Sequence, residues 1–183
     1  MNKSIPSFVK GPYPDIGIKQ LIEDFKEYLE ELEGLTIDIQ TKLKGNYLVS
    51  LPGLSIGTTP ENVANVAFDF QIGGVRYTRT AVAAGTALAG DNIPQSTFGA
   101  WRLEIGANGT IDIVPATGNA VGYASAALAI AGLPAVSADH VSMGVVTATN
   151  SAAVFDPGTT SLAAGTVTAA YTDGQTAFQA IIV

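Results

Sequence analysis

Charge all but stops after residue 45. The first 45 residues carry 6 Lys and 8 acidic side chains, whereas the remaining 138 carry only Arg76, Arg79 and Arg102 against 8 acidic residues. An ordinary soluble domain is about 25% charged, so the second stretch is strongly depleted, with Ala, Gly, Thr and Val in place of the charges. A surface of that composition associates unless copies of itself or a partner already cover it. The chain therefore divides into 1–45, an arm and helix suited to anchoring or oligomerisation, and 46–183, a charge-poor domain.

The remaining bulk properties exclude function classes. With 183 residues the chain can bury a sizeable core without a disulfide or metal staple, and it has no cysteine to make either from thiolates. A net charge of −7 is the wrong sign for wrapping nucleic acid or docking on an acidic membrane. A single histidine leaves no His-rich metal site, so no metal or other cofactor is expected. The N-terminus has neither the apolar core nor the cleavage site of a secretory signal. The most apolar stretch, 121–146, is interrupted by Gly132-Leu133-Pro134 and carries Asp139 and His140, so no membrane span is expected.

Along the chain the hydrophobic period changes twice. Residues 1–14, with Pro6, Pro12 and Pro14, form an extended arm that needs a partner to order it. From an Asp15 cap, Ile18, Leu21, Ile22, Phe25, Tyr28, Leu29 and Leu32 recur at spacings of three and four, which predicts an amphipathic helix of about five turns ending near Gly34. Its stripe fits either packing on its own domain or a helical bundle between subunits, and those seven residues are the candidate oligomer interface. Beyond Gly34, Leu35, Ile37 and Ile39 alternate with polar residues as in a strand, and residues 47–51 form another.

The rest is β in character. Residues 66–72 and 75–80 alternate around Gly73-Gly74 as a hairpin, and 101–105 and 110–114 flank a second turn at 106–109. Residues 125–131 favour a short helix stopped at Gly132; 140–149, 154–155, 166–171 and 176–183 are further strands. An apolar end at Ile181-Ile182-Val183 is expected to pair in a sheet or at an interface. The fold class is mainly β: an N-terminal amphipathic helix followed by a β-sandwich or small β-barrel domain.

No catalytic constellation stands out. Asp139 and His140 are adjacent, and neighbouring strand residues point to opposite faces, so the histidine is expected to be structural or interfacial. There is no strained Gly-x-Ser-x-Gly turn and no phosphate-binding Gly-rich loop before a helix. The carboxylates Asp69, Asp91, Glu104, Asp112, Asp139, Asp156 and Asp173 are scattered, and nothing selects two of them as a glycosidase pair. Asn108-Gly109-Thr110 matches a glycosylation acceptor but is better explained as a hairpin turn. The expectation is a protein that is not an enzyme. Trp101 and Tyr77 are the candidates for stacking on a sugar, in the alternative reading of a receptor- or glycan-binding module of a tail fibre or adhesin.

The order FDFQIGGVRYTRTA, an Ile-Pro segment, FGAWRLEIGANGTIDIV, LPAVSADHVSMGVVTAT and FDPGTTSLAAGTVTAAYTDG, over about residues 60–175, resembles small virion structural proteins of tailed bacteriophages, of the head-decoration and head-fibre type. The most specific piece is 133–149, where Leu-Pro leads to Asp-His-Val, a glycine and a β-branched strand. The resemblance implies a β-rich, homotrimeric module on the outer surface of the virion, made in the host cytoplasm. Its partners would be itself and the major capsid protein or another virion protein, and the N-terminal segment would be the anchor.

Overall fold

The structure, a computed structural model, describes residues 18–175, with side chains described for 22–37 and 44–175. The arm of 1–14, the Asp15 cap and the strand at 176–183 lie outside the described residues. The chain separates into two units between Thr41 and Lys42.

Helix α1, Ile18–Lys44, is 27 residues long; it makes up the described part of the first unit, and its last residues, from Lys42, fall in the second. It does not end near Gly34, and the strand expected at 35–40 is helix. Two physical reasons account for the difference. Leu32, Leu35, Ile39 and Leu43 also fall at helical spacings, so a six-residue alternation is outweighed by the longer period. One interior glycine costs only about 1 kcal/mol relative to alanine, too little to stop a helix of this length.

Among its described residues the second unit is built from antiparallel strands in three sheets, without a closed barrel. The first sheet has the order β1-β4-β5, from Tyr47–Leu48, Phe68–Ile72 and Val75–Arg79. The second has the order β2-β3-β6, from Ser55–Ile56, Asn62–Asn65 and Val82–Ala87. The third is four-stranded, β10-β9-β7-β8, from Val167–Asp173, His140–Asn150, Gly99–Gly106 and Ile111–Pro115. Between β8 and β9 lies helix α2, Ala126–Ala131.

Local chemistry explains the two hairpins. Gly73 and Gly74 both have positive φ, at 58° and 86°, which is what a two-residue turn matching strand twist requires. It sets the register Ile72↔Val75 through Phe68↔Arg79. In the β7–β8 hairpin the Asn108 Oδ1 accepts the Thr110 N–H at 2.9 Å and Gly109 takes φ 77°. The Asn108 side chain is thereby committed to the turn. Ser125 caps α2 by accepting the Leu128 N–H on its hydroxyl. Gly132 ends it, where a Cβ would collide with the Tyr123 hydroxyl.

All three sheets contribute to one core: Leu48, Val63, Phe68, Phe70, Trp101, Leu103, Ile105, Met143, Val146 and Phe155 are essentially inaccessible. A smaller cluster of Ala100, Ala116 and Ala129, flanked by Phe98, Tyr123 and Leu133, seats α2 against the opposite face of β7.

The space around Gly34 is empty, with nothing within 4 Å of an added Cβ. Gly34→Ala should therefore stabilise α1 by about 0.5–1 kcal/mol, and Gly34→Pro should cost it about 3 kcal/mol. Far-UV circular dichroism melts of the full chain measure both. A helix ending at residue 34 would leave the two variants alike.

Candidate functional site

Two places concentrate features that a well-packed fold does not need: the apolar stripe of α1, and a polar cluster at one end of the β7–β8–β9 sheet.

On α1 the candidate interface residues Ile22, Phe25, Tyr28, Leu29 and Leu32 are all exposed, as are Leu35 and Ile37 further along. Ile18 and Leu21 lie in the helix, and their side chains are outside the described set. With Phe25 and Leu32 at one seam position and Tyr28 and Leu35 at the other, the seven-residue repeat runs through Gly34. Ile22 and Leu29 widen the stripe on one flank, and Asp24 and Glu31 border it on the other. Lys26 and Glu23 make a long, exposed contact of 4.0 Å, which contributes little.

The polar cluster begins with β7. Along this strand Trp101, Leu103 and Ile105 point into the core, which places Arg102 and Glu104 together on the other face. That face is covered by residues 133–139. Arg102 Nε donates to Glu104 Oε1 at 2.7 Å, with side chains 11% and 0% exposed. The other Glu104 oxygen accepts the Ser137 N–H at 3.0 Å, and Arg102 Nη2 donates to the Pro134 carbonyl. Burial pushes the Glu104 carboxyl up, but the Ser137 side chain, the Arg102 guanidinium and the Ser137 N–H outweigh it and leave the group below its ordinary value of 4.5.

Beside this pair, His140 opens β9. Its Nδ1 lies 2.7 Å from the Ala138 carbonyl and its Nε2 lies 3.1 Å from Asp112 Oδ2 on β8. The neighbour in sequence, Asp139, is not its partner; it sits in the left-handed region at φ 57°. The Ala138 carbonyl, against the effect of burial and with help from the carboxylates of Asp112 and Glu104, raises the histidine above its ordinary 6.5. A groove of about 430 Å³ lies alongside, lined by Tyr47, Leu48, residues 136–142 and Gly174.

Trp101 is not exposed: it is fully buried, its Nε1 donates to the Ala89 carbonyl at 2.9 Å, and its ring lies 5.6 Å from Phe155. It is a core residue and has no face to offer a sugar, because the alternation that puts Leu103 and Ile105 inside puts Trp101 there too. Tyr77 is half-buried and stacks on Phe70 at 5.4 Å. Asp69 is held by Thr78 and Arg76, both at 2.6 Å, and these lower its carboxyl. Asp173 accepts the Leu54 N–H at 2.7 Å. Of the scattered carboxylates only Glu104 and Asp112 are brought opposite each other, as partners in the β7–β8 register. Glu104 is sealed from any substrate. Among the described residues no group of three or more His, Asp or Glu is placed to hold a metal ion, and no helix is long and apolar enough to cross a membrane.

Sequence reasoning missed the Arg102–Glu104–Ser137 and Asp112–His140 contacts. The first pair was visible as residues two apart on one strand face, and Asp112 as the partner of Glu104 once the hairpin turn is counted. Nothing local indicates that 133–139 folds over them. Comparison with protein-family models, curated proteins and solved structures finds no match to this chain.

Removing one partner of a buried ion pair leaves the other uncompensated. Glu104→Gln should therefore destabilise the β unit by about 3 kcal/mol at neutral pH in urea titrations. Because the carboxyl is depressed in the folded state, its contribution is present above the ordinary 4.5 and is lost as pH falls through the folded value. The gap between wild type and variant should then narrow on acidification; a gap constant with pH would refute the charged role of Glu104.

Proposed function

We propose that this chain is a structural subunit of a tailed-bacteriophage virion, a homotrimeric capsid-decoration or head-fibre protein. It is attached on the outer surface of the particle through residues 1–45, to the major capsid protein or another virion protein, after synthesis in the host cytoplasm.

The observation that carries the reading is the stripe on α1, whose large apolar side chains from Ile22 to Ile37 are each between 41% and 61% exposed. At about 25 cal/mol per Å², a stripe of this size gains several kcal/mol from leaving water. A stripe widened by Ile22 and Leu29 beyond a two-position seam suits a bundle of more than two helices. The charge-poor β unit supports the same assembly. Its exposed Leu51, Ile56, Val66 and Val121 are each flanked in sequence by uncharged residues, which suits faces that meet identical copies. The virion class itself rests on the resemblance of residues 60–175.

Light scattering after size exclusion should give three times the chain mass of 18.8 kDa. Phe25→Glu with Leu32→Glu should reduce it to the mass of one chain while the β unit's near-ultraviolet signal is kept. Deleting residues 1–45 should abolish binding to particles that lack the protein. A monomeric wild type, or a truncated chain that still decorates particles, would sink the assignment.

A further inference from the structure

Residues 133–139, between α2 and β9, are fastened to the sheet in two chemically different ways. At Pro134 and Ser137 the fastening is the Arg102–Glu104 pair, in which Ser137 and Arg102 hold the Glu104 carboxyl below its ordinary value. At Ala138 it is His140, and here both ring nitrogens face oxygen: the Ala138 carbonyl at 2.7 Å and Asp112 Oδ2 at 3.1 Å. A neutral imidazole has one N–H and can donate to only one of them, whereas the imidazolium donates to both.

Asp139, between the carbonyl and the ring that binds it, takes φ 57°, the left-handed conformation that turns the chain there and that aspartate adopts more readily than most residues. The His140 N–H closes the same turn onto the Ser137 carbonyl at 3.3 Å. Gly106 leaves the ring its place, since a Cβ there would lie 3.1 Å from His140 Nε2.

We propose that His140 is a pH-operated latch. Its imidazolium ties the end of 133–139 to β8; loss of the proton leaves one N–H for two acceptors, so the bridge from the Ala138 carbonyl through the ring to Asp112 is broken and residues 138–139 are released from β8 about the anchor at Ser137. This opens the 430 Å³ groove that residues 136–142 wall together with Tyr47, Leu48 and Gly174. The inference does not depend on the virion assignment.

The groups around the ring set the direction. Asp112 on β8 and Glu104 on β7 face it, with Arg102 balancing Glu104; Asp139 adjoins it in the chain. Tyr47 on β1 lines the same groove and donates its hydroxyl to Gln71. The group is raised in the folded state, so the latch is fully closed below the ordinary 6.5 and is lost as pH rises through the folded value.

The chain has one histidine, so an NMR titration of the full-length protein follows this ring without ambiguity. The midpoint should lie above about 6.5, and Asp112→Asn should lower it by about half a unit or more. Amide exchange, corrected for intrinsic rates, should show protection of the His140 N–H falling about tenfold or more across that midpoint. The Ser137 N–H, held by Glu104, should keep its protection and serves as the internal control. A midpoint at or below 6.5 that Asp112→Asn leaves in place would overturn the latch. So would His140 protection that is flat across the midpoint, or that falls in step with Ser137.

Discussion

Strand β7 is covered on both faces, and the rest of the β unit is arranged to make that possible. One face sends Trp101, Leu103 and Ile105 into the main core, and the other gives Ala100 to the α2 cluster and puts Arg102 and Glu104 beneath residues 133–139. A carboxylate with no solvent exposure costs several kcal/mol unless its oxygens are fully engaged. Here the guanidinium takes one oxygen and the Ser137 N–H takes the other. The 133–139 segment is therefore the solvation shell of Glu104, made of protein instead of water. That role explains why α2 has to stop where it does: the chain must leave the helix at Gly132 to bring Pro134 and Ser137 over the pair.

The same strand shows how far the sequence could be read. Alternation over 101–105 correctly predicts a strand in a hairpin, and by itself it implies a wet face for Arg102 and Glu104. The cover comes from residues about 30 positions later and has no local signature. Trp101 follows the same lesson in reverse, since its alternation with Leu103 and Ile105 already argued for the core against the sugar-stacking alternative. The Gly73-Gly74 hairpin was legible because only glycine-type backbone conformations make that turn. Strands β2, β3 and β6 were not, because SI, NVAN and VAAGTA contain too few large apolar residues to display a period. Helix α1 was found but cut short: Leu35, Ile37 and Ile39 satisfy a period of two, and only the longer window from Ile18 shows that helical spacing also holds.

The charge pattern that opened the sequence has a physical consequence for assembly. Chains of net charge −7 repel one another at long range, but at physiological ionic strength that repulsion fades beyond about 8 Å. Attraction must then come from short-range apolar contact, which is available only where charges are missing. The β unit is poor in charged residues, and α1 offers its stripe. On the helix, Asp24 and Glu31 border the stripe on one side while Ile22 and Leu29 border it on the other. In a parallel bundle of copies, acidic positions would face apolar ones, so no row of opposite charges is present to fix register. Register would have to come from shape, above all from the adjacent Phe25 and Tyr28, whose rings cannot be exchanged for Leu32 and Leu35 without leaving voids or clashes. In the assembly proposed above, a seam ordered by ring size and not by salt bridges would depend little on the titration of charged groups. The helix would then hold copies together across the same range in which the single histidine of the β unit changes its charge.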